Sequence, residues 1–77
     1  MTPRQRFDEK LSQIRSEIVR MGNLASEMAN QAIEAVQTSD TTLAAEVATQ
    51  DDEVDRIEEE TIRACVQLVM QESPVAG

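Results

Sequence analysis

A chain of 77 residues with a net charge of −8 makes one domain or part of one. Its acidity argues against binding that works by neutralising nucleic-acid phosphates or anionic lipid headgroups. One Phe, no Trp or Tyr, and only two Gly and two Pro exclude a small β-domain, which needs turn residues every ~8–12 positions, and leave a core of Leu, Ile, Val, Met and Ala.

The first element runs from residue 4 to about 37. Phe7, Leu11, Ile14, Ile18, Met21, Ala25, Met28, Ala32 and Ala35 recur at alternating steps of four and three. Such a stripe is the mark of a helix that packs on other helices. Leu24, Ile33 and Val36 widen it toward the C-terminal half. Gly22 interrupts it at a cost of ~1 kcal/mol relative to Ala, which predicts a site of close helix approach, with a hinge as the alternative. The start of the chain, Met1-Thr2-Pro3-Arg4, is polar and no apolar run is long enough to span a bilayer, so the expectation is a cytoplasmic chain without membrane insertion.

The break falls at Thr38-Ser39-Asp40-Thr41-Thr42, all turn and cap formers. Asp40 is the expected N-cap, because its carboxylate accepts from free N–H groups of the following turn. A turn over 38–41 makes the flanking helices antiparallel neighbours.

The second helix is predicted over about 41–72. Leu43, Val47, Val54, Ile57, Ala64 and Leu68 form its stripe, and from Ile57 onward Ile62, Cys65, Val66, Val69 and Met70 broaden it. Ser73-Pro74 ends it, since Pro disfavours helix in the residue before it. Two such helices, roughly 45–50 Å long, cover one face of each other, so the broad apolar end needs a third neighbour. The expected fold is all-α. Residues 1–77 form a single antiparallel helical hairpin, either part of a three-helix bundle or dimerising into a four-helix bundle. A homodimer or higher homo-oligomer follows.

Cys65 is the lone cysteine, so no intrachain disulfide forms, and its apolar surroundings predict a small buried hydrophobe. The absence of His removes the Glu-x-x-His motif of di-iron bundles and leaves Cys65 without a base. No catalytic residue is assigned and an enzyme is not expected.

Residues 46–60 hold eight carboxylates, Glu46, Asp51, Asp52, Glu53, Asp55, Glu58, Glu59 and Glu60, against Arg56 alone. At ~100° per residue, Asp51, Asp55 and Glu58 share one side, bordering the stripe through Val47, Val54 and Thr61. Like charges four apart repel by ~0.2–0.5 kcal/mol, and a cation relieves that. Carboxylates suit Mg²⁺, Ca²⁺, Mn²⁺ or iron. A solvated acidic face is the alternative, and further ligands must come from elsewhere.

The series Val47-x-x-x-Asp51-x-x-Val54-Asp55-x-x-Glu58, then Ile62-x-x-Cys65-x-x-Leu68 and Gln71-x-x-Pro74-Val75-Ala76, resembles the first repeat of PhoU-type phosphate-uptake regulators. Phe7-x-x-x-Leu11-x-x-Ile14, Met21-Gly22 and Asp40-x-x-Leu43-Ala44 are similar to the same repeat. The resemblance implies an all-α, non-enzymatic helical adaptor that links a phosphate ABC transporter to a sensor histidine kinase. It implies an acidic motif binding Fe, Zn, Mg or Mn, with Asp51 and Asp55 in the motif and Glu58 matching the pattern. Full members continue past the Pro-Val-Ala segment into a third helix, where other ligands and partner surface would lie. The alternative function is a structural helical oligomerisation module without metal.

Overall fold

In a computed structural model describing residues 2–72, the chain folds as two helices, α1 over Pro3–Thr38 and α2 over Thr41–Glu72. No strand occurs among the described residues. The predicted stop at Ser73-Pro74 lies outside them.

Local chemistry sets each helix end. Thr2 caps α1: its hydroxyl accepts from the Gln5 N–H at 3.1 Å, and its own N–H donates to the Gln5 side-chain carbonyl at 3.0 Å. This reciprocal box, with Pro3 in the first turn, satisfies donors that the helix itself leaves free. At the other end Ser39 turns left-handed, with φ 53°. The Asp40 N–H then reaches the Ala35 carbonyl at 3.0 Å and the Ser39 N–H reaches Val36 at 3.4 Å, the paired bonds of a Schellman ending. Asp40 opens α2 as predicted, its carboxylate accepting from the Leu43 N–H at 3.0 Å.

A connection this short folds α2 back along α1. Ala35 and Val47 line one cleft beside the turn. At the open end the Lys10 ammonium donates to the Gln71 side-chain carbonyl at 3.2 Å. The Arg4 guanidinium lies 5.3 Å from the centre of the Phe7 ring there, a cation–π contact at the rim of the seam. The molecule is a rod of 58 × 22 × 14 Å.

The seam departs from the predicted stripe. Phe7, Ile14, Met21, Leu24, Met28 and Ala35 of α1 are buried or half-buried, and so are the polar Lys10, Glu17 and Gln31. Ile18, 50% exposed, and Ala25 lie outside. The contact line therefore repeats every seven residues through positions 7, 10, 14, 17, 21, 24, 28, 31 and 35. This a/d phase is the one that two antiparallel helices share. The predicted row instead joined these a positions to the neighbouring e positions 11, 18, 25 and 32, which lie ~40° away on the wheel; of these Leu11 and Ala32 are half-buried as predicted, and Ile18 and Ala25 are exposed.

The core is small. Only Ile14, Ala35, Ile57, Thr61 and Leu68 are buried, and no large side chain is fully enclosed among the described residues. Cys65 is half-buried, against the expectation of a buried one, because it too sits on the e flank. Gly22 also differs from expectation. The helix runs unbroken through it, and a Cβ there would meet nothing within 4 Å, so no close approach occurs inside the hairpin.

Candidate functional site

The two flanks of the seam differ in chemistry. On one side α1 presents Gln13, Arg20, Glu27 and Glu34, and α2 presents Glu46, Glu53, Glu60 and Gln67. All are polar, as a solvated flank should be. Gln13 and Glu60 line a shared cleft on this side.

The opposite flank is the candidate site. Its α1 wall carries Leu11, Ile18, Gly22, Ala25, Ala29, Ala32 and Val36, with Arg15 the base among them. Its α2 wall carries Ala44, Ala48, Asp51, Asp55, Glu58, Ile62, Cys65 and Val69. In an antiparallel pair the e positions of both helices fall on one side of the seam. Near the turn this is seen directly: Ala32 and Val36 of α1 and Ala44 of α2 share an open apolar cleft of about 380 Å³. Farther from the turn the two walls lie on the same side of the seam. Ile62 is 55% exposed, Val69 67% and Val36 81%. Apolar side chains left wet in a row, beside a polar opposite flank, are the signature of a helix-docking surface.

Area gives the scale. The chain exposes 6026 Å², where a compact protein of 8.6 kDa exposes about 4,700 Å². The excess of roughly 1,300 Å² over the compact value follows from the elongated shape of two helices side by side.

The predicted ligands Asp51, Asp55 and Glu58 all stand on the α2 wall, exposed. The acidic row thus interrupts an apolar face that a third helix would cover. The register from Lys10–Gln71 to the turn sets these three level with Ala29, Ala25 and Gly22 on the facing wall, which leaves room above them. Among the described residues the salt bridges are Arg4–Asp8, Glu17–Arg20 and Glu53–Arg56. None uses Asp51, Asp55, Glu58 or Arg15. The donors are hard carboxylate oxygens and suit hard cations. Yet no group of three or more His, Cys, Asp or Glu among the described residues could hold a metal ion. The hairpin by itself therefore does not provide a coordination shell.

The sequence reading missed the α1 wall as a separate surface, because it merged the e positions into the seam. The signal was present: in both helices the row at the e and b positions is apolar or small over most of its length.

Comparison with known proteins places the chain. A family model described as PhoU domain matches residues 18–77. The phosphate-specific transport system accessory protein PhoU homolog of Pseudomonas aeruginosa is 31% identical over 73 residues, covering 95% of this chain and 30% of that protein. The protein of the same description from Pseudomonas putida is 29% identical over 73 residues, with 95% and 28% covered. The PhoU homolog 1 of Thermotoga maritima is 32% identical over 69 residues, with 90% and 30% covered. The chain spans less than a third of the length of these relatives. No solved structure matches it.

Proposed function

We propose, from the premise that this chain belongs to the PhoU domain family, that it acts in the regulation of phosphate uptake as a non-enzymatic helical adaptor. The relatives are described as accessory proteins of phosphate-specific transport. The observation that supports the adaptor reading is the apolar flank of the seam, where Ile18, Val36, Ile62 and Val69 are exposed among the described residues. No described helix is long and apolar enough to cross a membrane. We place the action in the cytoplasm, where this flank would dock helices of a phosphate ABC transporter, of a sensor histidine kinase, or of a second copy.

The test is genetic. Loss of this chain should change phosphate uptake and the expression of phosphate-starvation genes, and Ile62→Glu on the flank should reproduce the loss while leaving the far-UV spectrum helical. Unchanged uptake and expression at both high and low phosphate would overturn the reading.

We propose a metal role for the acidic row as well. Asp51 and Asp55, one helical turn apart, supply two carboxylates to an Fe, Zn, Mg or Mn ion, Glu58 stands beside them, and the remaining ligands come from a docked partner. A metal bound there would neutralise carboxylates that a docked helix would otherwise desolvate. A second reading, a structural oligomerisation module without metal, is favoured by the lack of a three-ligand group among the described residues. Thermal unfolding separates the two. Metal that binds the folded form raises the melting temperature, and Asp51→Asn with Asp55→Asn removes that rise. A melting temperature indifferent to chelator and to each added metal selects the structural module.

A further inference from the structure

The seam face of α1 joins rows of unlike chemistry. Row a, with Phe7, Ile14, Met21, Met28 and Ala35, is apolar throughout. Row d shares the seam with it and consists of Lys10, Glu17, Leu24 and Gln31, three of them polar. Row e lies on the other side of row a and is Leu11, Ile18, Ala25 and Ala32, all apolar. Leu11 and Ala32 are half-buried near the two ends, whereas Ile18 and Ala25 between them are exposed. Burying row d is unfavourable at Gln31, whose side-chain oxygen is enclosed with no hydrogen-bond partner.

We propose that α1 has a second packing phase, reached when it rolls about its own axis by roughly 50° and exchanges row d for row e in the seam. Row a stays against α2 in both phases. Ile18 and Ala25 enter the seam, and Glu17 and Gln31 return to water. The roll is a switch that reports what covers the apolar flank. A helix docked there shields Ile18 and Ala25 and holds the observed phase, and its departure releases α1 to the second one. The inference rests on the docking reading of that flank and adds its effect on the hairpin.

The difference between the helices assigns the movement to α1. Beside its seam α2 carries Asp51, Glu58 and Glu72 on one side and Glu46, Glu53 and Glu60 on the other, so turning α2 would bury carboxylates. Rolling α1 meets little resistance. No large side chain among the described residues is fully enclosed, so no tight interlocking has to break. Gly22, next to row e, has nothing within 4 Å of the place a Cβ would take, and no bulk there obstructs the roll. The observed phase is held by the turn at one end and by the exposed Lys10–Gln71 hydrogen bond at the other.

Relaxation dispersion by NMR on the whole chain reads the exchange, since helix shifts fall in the μs–ms range. Amide resonances of α1 around Ile18 and Gln31 should broaden independently of protein concentration, which separates the roll from self-association. Gln31→Leu favours the observed phase and should cut the minor population by about tenfold or more, removing the broadening. Ile18→Ser takes from the second phase its largest central side chain and should remove the broadening too, although the site is 50% exposed. Val19→Ala should leave it unchanged. Sharp α1 resonances in the parent chain, or broadening indifferent to both Gln31→Leu and Ile18→Ser, overturn the roll. Docking then still stands if Ile62→Glu abolishes regulation. Exchange in α1 with regulation intact in Ile62→Glu supports the roll and overturns its use as a switch together with the docking reading.

Discussion

Replacing Ser39 by Gly should stabilise the hairpin. Ser39 holds φ 53° and ψ 39°, a left-handed conformation that costs an L-residue roughly 1–2 kcal/mol. The bonds from Asp40 to Ala35 and from Ser39 to Val36 require that conformation, so the chain cannot relax out of it without losing the turn. The exposed Ser39 hydroxyl makes no hydrogen bond among the described residues, so its removal forfeits nothing. Glycine adopts the same angles freely but brings about 0.5–1 kcal/mol more unfolded-state freedom. The net expectation for Ser39→Gly is a gain of about 0.5–1 kcal/mol, or roughly 2–8 °C in melting temperature for a chain of this size. Ser39→Val, with a branched side chain at positive φ, should lose about 1 kcal/mol or more. Far-UV circular dichroism during thermal and urea unfolding measures both, at one fixed protein concentration, because self-association makes the midpoint concentration-dependent. A Gly variant that melts at or below the parent, or a Val variant that melts with it, would refute the turn geometry and the antiparallel arrangement built on it.

Other perturbations probe other parts of the molecule. Asp40→Ala should cost about 1 kcal/mol by removing the cap on α2, while Asp40→Asn keeps most of it; urea midpoints distinguish them. Ile57→Ala, at a site 5% exposed, should cost about 2–5 kcal/mol, whereas Val19→Ala, at a site 62% exposed and away from the apolar flank, should stay within about 0.5 kcal/mol. The same unfolding experiment reads both. Gln31 holds a buried side-chain oxygen with no partner, and such an orphan costs about 1–3 kcal/mol. Gln31→Leu should therefore raise the urea midpoint, and a fall would mean that the seam is not packed as described.

The acidic row shows where burial governs chemistry. Asp51, Asp55 and Glu58 are exposed in the hairpin, where water screens their repulsion. A helix docked on the flank would strip that water and strengthen it, so whatever covers the face must bring a base or a cation. Docking and charge compensation are thus one event on this surface.

The sequence by itself determined the helices, the turn and the cap on α2. Those depend on interactions within four residues, and the local code for them is complete: spaced apolar residues, Asp40 before α2, Ser39-Asp40 between. The capping box of Thr2 and Gln5 obeys the same code and was legible, though the periodic reading passed over it. It also placed the three carboxylates on one side of α2, since that needs only the pitch of a helix. What it left open was which of two adjacent rows enters the seam. Rows a and e of α1 are richer in apolar residues, yet the seam takes a and d, drawing in Glu17 and Gln31 and leaving Ile18 and Ala25 outside. That choice belongs to the pair of helices. The tight connection at Ser39 and Asp40 sets their mutual rotation, and the phase that suits both helices need not suit the apolar row of either one. Only the tertiary structure, by turning the e rows outward together, put two stripes on one side of the seam.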